Sequence, residues 1–146
     1  MNFPRVAAAA VAAWILYMVM GYLVHGLLLA DLYRQSSAVM RPEPDANAIL
    51  PFNFGLVLIG FFAFAYAYAK GYEGGSGLHE GLRFGVLISI MLCTFVSIWQ
   101  YMIWPATAGL LTAWLIDYVV EFALYGMVVG VMYKPLPAPA RRAVLT

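Results

Sequence analysis

Asp117 and Glu121 stand four residues apart within ATAGLLTAWLIDYVVEFALYGMVVGVMY, residues 106–133, a run that is otherwise apolar. A helix over it reaches roughly 42 Å at about 1.5 Å per residue, against a hydrocarbon core of about 30 Å, so both acids fall inside a bilayer. Residues four apart differ by about 40° around a helix axis, which stacks the two carboxyls on one face. An acid in that medium is costly unless it is protonated or paired. His25, Gln100, Ser97 and Asn53, in the other apolar runs, are the polar side chains available to meet it.

Three chemistries fit this set. In the first, favoured because it needs no cargo, the acids are hydrogen-bonded fixtures that give a helix bundle its register, satisfied by Tyr hydroxyls, Ser97, Gln100 or His25. In the second, Asp117, Glu121 and His25 relay protons or cations. In the third, carboxylate and imidazole ligate Zn, Mn or Fe. Against a metal stands the absence of a second intramembrane histidine and of any His at helical ligand spacing beside the acids. A bis-histidine haem would need His79, which belongs at the opposite membrane face. Metal and cofactor are therefore left unassigned.

The elements that position these residues follow from composition. With 64% hydrophobic and 10% charged residues in a chain of 146, and a mean hydropathy of +0.84, the expected class is an all-α integral membrane protein. A net charge of +1 gives no basic excess for nucleic acid. The lone Cys93 excludes an intrachain disulfide and reads as a small buried thiol. Four spans are expected, at about 5–30, 51–70, 82–104 and 107–133, forming one transmembrane domain over 1–134 with a proline-rich basic cytoplasmic tail at 135–146. The first run is too long for a cleavable signal and is read as a retained helix. Residues 31–50, with five charges and two prolines, form the longest loop, with a short interfacial helix before Pro42. Pro51 suits the first turn of the second helix, and Lys70 with Gly71 marks its end.

Four spans put both termini on one side. That side collects Arg5, Lys70, Arg83, Lys134, Arg141 and Arg142, and the other only Arg34 and Arg41, so the basic residues place both termini in the cytoplasm. In that orientation Asp117 lies about 15 Å and Glu121 about 20 Å below the outer surface. Helical spacing sets Ser89, Cys93, Ser97 and Gln100 on one stripe of the third helix, a polar seam able to face the two acids.

Small residues suggest how the helices approach one another. Gly60, Ala63 and Ala67 form a smooth strip on the second helix, Gly126 and Gly130 a GxxxG on the fourth, and Gly81 and Gly85 another where the third begins. Gly126 is about 180° around the axis from Asp117, so the glycine groove and the acidic face look in opposite directions. Burial within the bundle is the expected use of the groove, with a homodimer or larger membrane complex as the alternative. The glycine-rich stretch from Gly71 to Gly85 has no Gly-Lys-Ser or Gly-Lys-Thr and no preceding strand, so it reads as a solvated turn whose Glu73, His79, Glu80 and Arg83 are able to pair with one another or with a partner protein, Glu80 with Arg83 on one helix face.

The stretches YLVHGLLLADLYR, residues 22–34, and YAKGYEGGSGLHEGLRFG, residues 68–85, together with the acidic fourth helix and its closing YKP, resemble a group of small, uncharacterised four-helix bacterial integral membrane proteins. The resemblance implies the four-helix bundle and a multi-pass setting in the bacterial inner membrane. It brings no catalytic or binding residue with it. No paired Cys, HExxH or Gly-x-Ser-x-Gly points to an enzyme. The expected role is an accessory or structural bundle around a buried polar site, with the lipid bilayer as first partner; the alternative is a small proton or cation transporter component.

Overall fold

Asn2 opens the first helix by accepting the Arg5 backbone N–H at 3.3 Å, and Pro4 occupies its first turn, where a missing N–H costs nothing. The computed structural model describes residues 1–135, which are almost wholly helical, with no strand among them. Helix α1 (Phe3–Gly21) continues as a π-helical stretch, Tyr22–Leu28; α2 (Ala30–Gln35) is short; α3 spans Glu43–Lys70. Helix α4 (Gly77–Leu92) passes through a second π-helical stretch, Cys93–Ser97, into α5 (Ile98–Ile103), and α6 covers Ala108–Met132. The tail at 135–146, with Arg141 and Arg142, falls outside the described residues except for Pro135.

Four helical units, Phe3–Leu28, Glu43–Lys70, Gly77–Ile103 and Ala108–Met132, are long and apolar enough to cross a membrane. At most 28% of the most apolar window of any of them is buried inside the molecule, so their apolar side chains mostly face outward. Leu28, Phe95 and Met102 are 75%, 74% and 72% exposed. A surface of that kind calls for lipid rather than water.

Two helices begin earlier than their sequence suggests. Helix α3 starts at Glu43, with Pro44 in its first turn and Glu43 and Asp45 at the positive end of the helix dipole, and Pro51 lies inside it. Pro51 is exposed and removes only its own N–H from the ladder, which the helix tolerates at a surface position. Helix α4 starts at Gly77 rather than near Leu82, so Gly77, Gly81 and Gly85 are helical residues on one face. The reason is packing. A Cβ on Gly77, Gly81 or Gly85 would run into the backbone of Gly130, Gly126 or Phe122, and a Cβ on Gly126 or Gly130 would meet α4 in the same way. The two antiparallel helices therefore meet backbone to backbone, where close van der Waals contact replaces the hydrophobic drive that lipid cannot supply. The glycine groove is closed within the chain.

Gly60, Ala63 and Ala67 do not form a packing strip. All three are exposed, and a Cβ on Gly60 would meet nothing within 4 Å. Helix α3 turns Phe61, Phe64, Ala65 and Tyr68 inward instead, against Val6, Ala9, Ala10 and Ala13 of α1 and Tyr125 and Val129 of α6. Bulk rather than smoothness selects the buried face, because the small alanines of α1 leave room for rings. Helix α6 packs on both α4 and α1, and α1 on α3, while the backbones of α3 and α4 stay apart. Rings bridge that gap near Lys70, with Phe64 4.8 Å and Tyr68 5.5 Å from Phe84 between centroids. Toward Trp104 the gap is open.

At the Lys70 end, Glu80 turns back from the first turn of α4 and accepts the backbone N–H of Glu73 and, at 3.1 Å, of Gly75. Gly74, with φ of +89°, supplies the left-handed residue this loop requires. Glu80 is thus not the partner of Arg83, which reaches Glu73 at 2.7 Å; His79 instead lies 3.2 Å from the Ser76 hydroxyl. Backbone amides fixed in the loop are the nearer donors for the buried carboxylate.

Candidate functional site

The open gap is a cavity of about 480 Å³, lined from α1 by Tyr17 and His25, from α3 by Val57 and Phe61, from α4 and α5 by Leu92 and Gln100, and from α6 by Trp114, Asp117, Glu121 and Tyr125. Asp117 and Glu121 lie about two and a half and three and a half helical turns from the start of α6 on the face opposite its glycines. Asp117 is 8% and Glu121 4% exposed. Glu121 Oε2 accepts the Tyr125 hydroxyl at 2.6 Å, whereas Oε1 is buried with no hydrogen-bond partner.

His25 arrives from the π-helical stretch of α1. There the Leu29 N–H bonds Val24 at 2.8 Å, five residues back, which widens the turn and rotates the following residues relative to an α-helix. His25 Nε2 lies 3.4 Å from Asp117 Oδ2. Its Nδ1 is 2.5 Å from the Tyr33 hydroxyl, whose oxygen also accepts the Trp114 indole N–H at 3.2 Å. Tyr33 sits on α2, so the short helix after the first span is the piece that closes the site from the Trp104 end. Burial raises the Tyr33 phenol above its ordinary pKa, and the Trp114 hydrogen bond works the other way. These contacts form a directional chain when Trp114 donates to Tyr33, Tyr33 to Nδ1, and Nε2–H to Asp117.

The histidine absent from the acids' own helix is therefore supplied by α1. One donor atom each from His25, Asp117 and Glu121 lies within 4.8 Å of the other two. The argument from helical spacing loses its force, because the ligand spacing is set by tertiary contact between the first span and α6; the site still holds a single histidine.

Of the other polar residues, Gln100 lines the same cavity. Ser97 is buried with its hydroxyl unpartnered and does not line the cavity. Asn53 is exposed on α3 beside the Tyr17 hydroxyl. The seam expected along the third span is broken up: Ser89 donates to the Val86 carbonyl of its own helix at 2.7 Å, and the half-buried Cys93 faces the Leu115 carbonyl at 3.8 Å. The second π-helical stretch interrupts the register between Cys93 and Ser97, so a continuous stripe drawn at α-helical spacing does not survive it.

Sequence reasoning missed Trp114, Tyr125 and Tyr33. Trp114 and Tyr125 carry a signal, lying three residues before Asp117 and four after Glu121 on the same helix face. Tyr33 carries none, since its position depends on how the loop folds back. No protein-family model, curated protein or solved structure matches the chain.

Proposed function

We propose that this chain is a multi-pass protein of the bacterial inner membrane, with both termini cytoplasmic, acting as an accessory bundle whose polar chamber in the outer half of the membrane takes up and holds a ligand. The observation that carries this reading is that the chamber has one polar end and one sealed end. His25, Gln100, Asp117 and Glu121 border it toward Trp104, Phe61, Phe122 and Tyr125 line its other end, and beyond these rings the interior is filled by Phe64, Phe84 and Tyr68. A ring-filled half of this kind suits binding better than passage, because a carrier of protons or ions needs polar groups or water along its whole path.

Transport of protons or cations is the second reading, favoured by the unpartnered Oε1 of Glu121 deep in α6. Labelling and flux separate the two. In oriented vesicles, a Gln100→Cys chain in a Cys93→Ala background reacts with a membrane-impermeant thiol reagent from the outer face alone, and the parent in liposomes passes neither protons nor monovalent cations faster than protein-free liposomes. Flux that Glu121→Gln abolishes without unfolding the chain would replace binding with transport.

A further inference from the structure

We infer that His25, Asp117 and Glu121 form a site for one divalent first-row transition-metal ion, of the Mn²⁺, Fe²⁺ or Zn²⁺ type. This rests on the chamber reading and names what the chamber holds.

The donor atoms suit such an ion in kind, number and spacing. One imidazole nitrogen and two carboxylates form a mixed nitrogen and oxygen set, which suits these ions over the sulfur-seeking Cu⁺ or the oxygen-only Ca²⁺. Two ligands bound at about 2.1 Å to a tetrahedral ion stand about 3.4 Å apart. That is the separation between His25 Nε2 and Asp117 Oδ2, and the Glu121 donor lies within 4.8 Å of both, a gap that side-chain torsion can close.

A second and independent observation is the state of Glu121. It is 4% exposed, its Oε2 is held by Tyr125, and its Oε1 is buried without a partner. A hydrogen-bonded fixture leaves that oxygen unexplained, because an unmet buried acceptor costs about 1–3 kcal/mol. A cation coordinated there satisfies it. Charge agrees. Among the described residues Arg34 is engaged by Asp31 and Arg83 by Glu73, and His25 is the basic side chain that faces Asp117, so in their charged form the two acids leave room for a bound cation.

The surrounding groups are those a metal-bound histidine uses. With Nε2 given to the ion, Nδ1–H donates to the Tyr33 oxygen, which Trp114 holds in place. Three protein ligands leave at least one position facing the chamber, open to water or a small anionic or carbonyl ligand.

The test uses the full chain, purified in mild detergent and stripped with a chelator, then titrated with Mn²⁺ followed by electron paramagnetic resonance, with Co²⁺ followed by visible absorption, and with Zn²⁺ in competition. The expected result is one ion per chain, with histidine-nitrogen coupling to bound Mn²⁺ that disappears on removal of His25. Asp117→Asn and Glu121→Gln weaken binding by more than the roughly 10- to 100-fold typical of outer partners, and Tyr33→Phe by about 10-fold with unchanged stoichiometry. Tyr33→Phe also serves as the readout should a ligand variant fail to fold. Absence of stoichiometric binding by the parent, or binding indifferent to Glu121→Gln in a folded chain, overturns the metal site. In that case continued labelling of Gln100→Cys from the outer face keeps the chamber and discards only the ion; loss of both discards the chamber as well.

Discussion

Tyr125 donates its hydroxyl hydrogen to Glu121 Oε2 across 2.6 Å, one turn further along the same helix, and at 1% exposure it is the largest fully buried side chain among the described residues. The pair is a local contact made inside a tertiary core, since Tyr125 also meets Phe61 edge-on at 5.1 Å between centroids. Its ring belongs to the aromatic plug and its oxygen to the polar chamber.

Tyr125→Phe keeps the ring and deletes the oxygen. It leaves Glu121 without a donor at either oxygen, and the expected loss is about 1–3 kcal/mol. Reversible unfolding in detergent, with chelator present, measures it. A variant as stable as the parent would show that Glu121 is satisfied from elsewhere.

The glycine seam between α4 and α6 predicts steep sensitivity to one carbon. Gly81→Ala and Gly85→Ala place a methyl against the Gly126 and Phe122 carbonyls and should each cost about 1–3 kcal/mol, seen as a lower melting temperature. Gly60→Ala, with open space around it, should stay within about 0.5 kcal/mol. Equal effects at the three positions would mean that the helices do not meet along this seam.

Glu80 and Arg83 should behave unequally despite lying three residues apart. Glu80→Ala frees the Glu73 and Gly75 amides, with a cost of about 2 kcal/mol and faster hydrogen exchange at both. Arg83→Ala breaks an ion pair whose side chains are about two-thirds exposed, 68% and 70%, and should change stability by about 0–1 kcal/mol. Exchange at the two amides that follows Arg83 instead would reverse the assignment.

Asp117→Asn removes a charge that faces His25 at 3.4 Å while preserving volume. In the parent, chelation should lower the melting temperature and saturating Mn²⁺ or Zn²⁺ restore it, since a ligand that binds only the folded chain stabilises it by mass action. In Asp117→Asn the difference between metal and chelator, at the metal concentration that saturates the parent, should shrink well below the parental shift. A metal-dependent shift of parental size in the variant would place the ion elsewhere.

How far these features were legible depends on whether they are written along one helix or between two. The four long apolar helices and the shared face of Asp117 and Glu121 follow from hydropathy and from the angle per residue, quantities local to a segment. The start of α3 was obscured because Pro51 and Pro44 both suit a first turn, and only Pro44 has Glu43 and Asp45 beside it. Gly77, Gly81 and Gly85 look like loop because glycine has poor helix propensity, and become helix because α6 needs them small. Gly60 misled for the complementary reason: smallness permits approach without requiring it. The meeting of His25, Tyr33 and Asp117 joins three elements, and no period along the chain announces it.

The two π-helical stretches have a genetic reading. Each amounts to an α-helix carrying one residue more than its turns need, the ordinary outcome of a single-codon insertion absorbed as a bulge. Excising one codon within residues 22–28 would let the backbone close to regular α-helix with Leu29 and the residues beyond it kept near their present facing, while residues inside the stretch change face by up to about 100°. His25 lies inside the widened turn, so the face it presents to Asp117 and Tyr33 is the one the bulge gives it. The residue count of the first span is as much a part of the site as the side chains it presents.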